Sequence, residues 1–86
     1  MSIEDVKATL RRGNKAVKDA RRTLEQANAQ LLDATGIALP TLEGSEHAHV
    51  QRTRAGLKAA AHEIELTLRR LDAAAEHSTA YLDAIG

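Results

Sequence analysis

The chain has 86 residues, with 12 Lys and Arg against 12 Asp and Glu, a formal net charge of zero, and no cysteine. Hydrophobic residues make up 43% of it but aromatic residues only 1%, Tyr81 alone, and alanine is the commonest of the apolar residues. This composition excludes a thick globular core, because alanine buries little area at roughly 25 cal/mol per Å². It also excludes a disulfide framework or thiolate site, and it gives no global pull towards nucleic acid or anionic membrane.

Strand-forming residues are few, so the chain reads as all-α and as a single domain. No apolar run approaches the ~20 residues that span a bilayer. The start, Met-Ser-Ile-Glu-Asp, lacks a basic segment followed by an apolar one. The expectation is a cytoplasmic protein, or one exported without a cleaved signal peptide.

The first helix is predicted over about residues 3–34. Ile3, Val6, Leu10, Gly13, Val17, Ala20, Leu24, Ala27, Leu31 and Ala34 follow each other in steps of three and four. That spacing is the mark of a coiled-coil seam. Large residues alternate along it with small ones, which invites a partner helix to close range. Ser2 is placed to cap the helix, with Asp5 three residues on. Gly13 costs ~1 kcal/mol against alanine inside a helix, a cost that a seam position can offset by close packing.

Residues 35–45 read as the connection. Gly36 can supply a left-handed cap, and Pro40 cannot continue a helix. Ile37, Leu39 and Leu42 are apolar and should fold over the end of the helix pair. Ser45 is an N-cap candidate for a second helix over about residues 46–84, with Glu46 in its first turn. The second seam is His47, Val50, Arg54, Leu57, Ala61, Ile64, Leu68, Leu71, Ala75, Ser78, Leu82 and Ile85.

A hairpin folded near Pro40 pairs Leu31 with Val50, Leu24 with Leu57, Val17 with Ile64 and Leu10 with Leu71. The smaller layers then set Gly13 against Leu68, Ala20 against Ala61 and Ala27 against Arg54. The predicted architecture is an antiparallel two-helix hairpin, coiled-coil-like, dimerising into a four-helix bundle. A lone hairpin has only one seam to bury, and the second helix carries apolar surface beyond it. Ala60, Thr67, Ala74 and Tyr81 lie beside that seam, and Ala59, Leu66, Ala73 and Ala80 lie further round. The predicted partner interface is Ala60, Leu66, Thr67, Ala73, Ala74 and Tyr81, presented to a second copy or to a helical protein.

Other side chains invite chemistry. Arg11, Arg12, Lys15, Lys18, Arg21 and Arg22 form a basic cluster interrupted by Asp19, a stripe that could touch phosphates. No aromatic residues interleave to stack bases, and no helix-turn-helix spacing is present. Cross-helix ion pairs with Glu63, Glu65, Asp72 and Glu76 are the simpler reading. Glu46 and His49 make the Glu-x-x-His pair that di-iron bundles aim inward, but both fall off the seam and the companion glutamates are missing. His62 and His77 stand more than ~20 Å apart at helical rise. No metal, cofactor or small-molecule substrate is expected. Arg54 on the seam should snorkel past small neighbours to solvent. No nucleophile motif or glycine-rich phosphate loop is present, and no enzyme is expected.

The outline resembles the ESAT-6/WXG100-like proteins: a small cysteine-free chain, two long antiparallel helices and a mid-chain turn bearing glycine, here Thr35-Gly36 or Glu43-Gly44. The Ala- and Arg-rich composition also fits a bacterial gene of high GC content. The family's Trp-x-Gly has no counterpart, since the chain has no Trp. Its Tyr-x-x-x-Asp/Glu signal would use Tyr81, but Ile85 stands four residues on. The resemblance implies a four-helix dimer and a small partner in a type VII-like secretion or toxin-associated system. A coiled-coil regulator or nucleic-acid accessory, working through the basic face of the first helix, is the alternative.

Overall fold

The structure is a computed structural model that describes residues 1–42, 44 and 47–86. It is an antiparallel hairpin of two helices, α1 (Ile3–Leu42) and α2 (Ala48–Ile85), which pack on each other along their length. The molecule measures 62 × 17 × 16 Å. A helix of 40 residues is ~60 Å long at 1.5 Å per residue, so the long dimension is α1 itself.

α1 opens on a reciprocal cap. The Asp5 amide donates to Ser2 Oγ at 3.1 Å, and the Ser2 amide donates to Asp5 Oδ2 at 3.3 Å. Two amides without helical partners are satisfied together, in the pattern of a capping box with aspartate as its acid.

The predicted end of this helix needs correction. α1 runs through Gly36 and Pro40 to Leu42, so most of the expected connection at 35–45 is helical. Pro40 removes one backbone hydrogen bond from the last turns. In return those turns bring Ala38, Leu39 and Leu42 into partial burial, with Leu39 and Pro40 lying against Arg54 and Lys58 of α2. The left-handed residue is Gly44, with φ 83°, and Gly36 keeps an ordinary helical backbone. α2 starts at Ala48, and its N-cap is His47, whose Nδ1 accepts from the His49 amide at 3.1 Å. The expected cap Ser45 and first-turn Glu46 lie outside the described residues.

Moving the bend moves the register. Arg21 faces Asp72, where a fold at Pro40 would have set it against Ala60. Lys7 Nζ lies beside Gly86, and Arg11 shares a groove with Leu82. The pairings of Leu31 with Val50 and Leu10 with Leu71 are therefore replaced by pairings nearly two heptads further along α2.

The seam of α2 follows the expected row: every residue predicted from Val50 to Ile85 is partly buried. In α1 the large row packs as expected from Leu10 through Val17 and Leu24 to Leu31, whereas its first member, Ile3, is exposed. The companion row is different. Asn14, Arg21, Asn28 and Thr35 are partly buried, while of the expected row Val6 and Ala27 are partly buried and Gly13, Ala20 and Ala34 are exposed. α1 is turned one residue further than the small-residue row predicts. The cause is side-chain reach: the long side chains of Lys7, which pairs with Glu4 at 3.7 Å, and Arg21 cover apolar surface along the seam, and glycine or alanine covers almost none.

Arg54 also departs from expectation. Its Nη2 donates to the Leu42 carbonyl at 3.4 Å, and its Nε is buried without a partner. α1 has no basic residue in its last turn. Arg54 supplies the cation that its C-terminal carbonyls favour, from across the hairpin.

The position of the bend is testable with two glycines. A Cβ at Gly36 would meet nothing within 4 Å, so Gly36→Ala should stabilise the hairpin by ~1 kcal/mol. Gly44→Ala should destabilise it by about 1 kcal/mol, because alanine is strained at positive φ. Urea unfolding followed by circular dichroism measures both; reversed signs would return the bend to Gly36.

Candidate functional site

The two long sides of the hairpin differ in chemistry. On one side the grooves between the helices are charged. Lys7 and Arg11 lie with Leu82 and Asp83. Asn14, Lys18 and Arg21 lie with Asp72 and Thr79. Asn28 and Leu32 lie with Lys58, His62 and Glu65. These rows flank the seam on one edge only.

Arg21 is the centre of that edge. Its Nε donates to Asp72 Oδ1 at 2.6 Å and its Nη2 to Asp72 Oδ2 at 3.3 Å, a two-point clasp between the helices. Its Nη1 also donates to Glu25 one turn on. The hydrogen bond from Arg21 holds the Asp72 carboxyl below its ordinary range, and the same bond makes the Arg21 guanidinium harder to deprotonate. Both charged groups still reach solvent, so the clasp contributes to register more than to stability.

The rest of the basic cluster is a solvated face. Lys15 pairs with Asp19 at 3.4 Å and Arg22 reaches the same carboxylate at 3.9 Å. The expected meeting with Glu63 and Glu65 does not form, because the register has moved; Glu65 pairs with Arg69 of its own helix at 2.6 Å.

The histidines do not gather. His47 and His49 stack at 5.1 Å between ring centroids beside the bend, and Glu46 lies outside the described residues. Among the described residues no group of three His, Asp or Glu is placed to hold a metal ion. No helix among them is long and apolar enough to cross a membrane.

The opposite side of the hairpin is the candidate surface. The rows on the other edge of the seam are Val6, Gly13, Ala20, Ala27 and Ala34 from α1, and Thr53, Ala60, Thr67, Ala74 and Tyr81 from α2. None of these ten residues carries a charge. A Cβ at Gly13 would meet nothing within 4 Å, so this side is open. The predicted interface residues divide here. Ala60, Thr67, Ala74 and Tyr81 join this face, whereas Leu66 and Ala73 lie on the back of α2, separated from it by the row Glu63, Arg70 and His77. The contribution of α1 was missed, because its small residues had been assigned to the intramolecular seam.

Comparison with protein-family models, with curated proteins and with solved structures gives no match for this chain.

The Asp72 clasp has a signature in acid. A carboxyl held below its ordinary value, near 4 for aspartate, stabilises the fold above that value and loses its effect as pH falls through the folded value. Asp72→Asn should lower the melting temperature slightly and evenly from pH 6 to 8. The gap to the native chain should close as pH drops below about 4. A gap that persists unchanged at pH 2 would show that the effect is not ionic.

Proposed function

We propose that this chain is a non-enzymatic helical-hairpin interaction module, which completes its core by packing on other helices. The carrying observation is burial. Among the described residues none is fully buried, and the molecule exposes 6466 Å². A compact folded chain of 9.3 kDa would expose about 5,000 Å². The excess is about 1,500 Å², within the range that one partner of an obligate helical interface covers.

Two further features support the reading. The grooves between the helices are shallow and partly charged, unlike the concave, largely apolar pockets that take small molecules. The size and hairpin outline also suit a small partner in a type VII-like secretion or toxin-associated system, where paired helical hairpins are the working unit. In that setting the module acts by shape, offering a rigid two-helix face to a helix of its partner.

A second reading rests on Arg11 and Lys18. Neither has an ion-pair partner among the described residues, and they share an open groove with Asn14 and Lys15. The stripe could meet phosphates as part of a coiled-coil regulator. Such binding would weaken steeply with added salt.

Sedimentation velocity of the purified chain at tens of micromolar, with and without a short duplex DNA at low salt, separates the two. The interaction reading predicts a mass above that of one chain and no co-sedimenting DNA. A folded monomer that carries DNA would reverse the order of the readings.

A further inference from the structure

On the charged edge, one groove between the helices has donors to spare. Asn14, Lys18 and Arg21 of α1 face Asp72 and Thr79 of α2 across a floor of Val17 and Ala75. We propose that this groove binds a phosphate dianion, either inorganic phosphate or the phosphoryl end of a small phosphomonoester. It lies on the edge opposite the uncharged face, so it does not depend on the interaction reading above.

Three side chains in the groove have no partner. Among the described residues, Asn14 and Thr79 make no side-chain hydrogen bond, and Lys18 makes no ion pair. Thr79 departs here from the other helical threonines. The hydroxyls of Thr23, Thr35, Thr41, Thr53 and Thr67 each donate to the carbonyl four residues back, at 2.8 to 3.2 Å. That of Thr79 does not, although the same carbonyl position is available to it. Asn14 is partly buried opposite, and its amide is equally uncommitted. An ammonium, an amide and a hydroxyl thus supply donors from both helices.

The balance of charge selects a dianion. The acid in the lining, Asp72, is clasped by Arg21 at 2.6 and 3.3 Å, and the two offset each other. Lys15, just outside, is taken up by Asp19. Glu76 and Asp83 lie on the outer row of α2, beyond the lining. Lys18 and Arg11 remain unpaired among the described residues, and both border Asn14 in the adjoining groove. Two turns apart with Asn14 between them, they match the double charge of a phosphoryl group. A planar carboxylate prefers a guanidinium fork, and the fork inside this groove already holds Asp72. Donors of three kinds, arriving from two helices, suit a tetrahedral oxyanion instead. The groove is too open to enclose a larger ligand, so the phosphoryl group is what it reads.

Titration of the isotope-labelled full chain with inorganic phosphate, followed by NMR at an ionic strength held constant with chloride, tests the assignment. The Asn14 side-chain amide is directly observable, and its signals should shift and saturate within tens of millimolar phosphate. Lys18→Ala should weaken binding about tenfold, and Thr79→Val about threefold or more. Arg12→Ala removes the same charge from the basic cluster but lies outside the groove, and should change the affinity by less than about twofold. Failure to saturate, or equal weakening by Lys18→Ala and Arg12→Ala, overturns the site, since either means diffuse screening. A loss with Lys18→Ala but none with Thr79→Val also overturns it, by placing the anion on α1 alone. A short duplex DNA that shifts the Asn14 signals where phosphate does not would overturn it in favour of the nucleic-acid stripe.

Circular dichroism checks that each variant keeps its helices. Should Thr79→Val lose helicity, Thr79→Ser keeps the hydroxyl and should retain the affinity; loss in a folded Thr79→Ser would reject the hydroxyl as a donor. Glycerol phosphate separates the two sources. Binding equal to that of inorganic phosphate supports a phosphomonoester as the ligand, and binding of inorganic phosphate alone supports the free ion.

Discussion

Everything in this molecule follows from how little its side chains can bury. Alanine makes long stable helices because it has no rotamer entropy to lose, but two alanine-rich helices side by side cannot enclose a core. The hairpin therefore uses what it has. Leu10, Val17, Leu24 and Leu31 pack along the row from Val50 to Ile85, and the stems of Lys7 and Arg21 close the edge. Even so, no described residue is withdrawn fully from water. A fold limited in this way is specified by pattern and register more than by mass of core.

Polar groups carry that specification. The Arg21–Asp72 clasp ties the middle of one helix to the other, and Arg54 reaches the last carbonyl of α1 at the bend. The reciprocal cap of Ser2 and Asp5 fixes the far end. Exposed pairs of this type add little stability, but a sliding two-helix seam has many near-equivalent alignments, and a single clasp removes most of them. Concentrating the charge on one edge also leaves the other edge free of it. The asymmetry that sets the register is thus the same one that creates the candidate surface.

Much of the architecture was legible in the sequence. The steps of three and four marked both helices, the antiparallel hairpin and the seam of α2 from Val50 to Ile85. What misled was local chemistry read in isolation. Gly36 and Pro40 are strong breaking signals, yet Leu39 and Leu42 on either side of the proline are partly buried, the helix runs two turns further, and Gly44 takes the turn. That shift in the bend propagated through the register and separated Glu63 and Glu65 from the basic cluster. The row Gly13, Ala20, Ala27, Ala34 is periodic, but the hairpin partly buries only Ala27 and leaves the other three exposed. Periodicity marks a row of like residues; it does not show what covers it.

The central claim is that the hairpin's stability is inseparable from its association. Thermal unfolding of the full chain, followed by circular dichroism at 222 nm over a hundredfold range of concentration, measures this directly. A dimer completed at the uncharged face predicts a melting temperature that rises steadily with concentration, because association is part of the folding equilibrium. A cooperative transition at one temperature throughout the range would contradict it, and would show that two alanine-rich helices can hold each other without company.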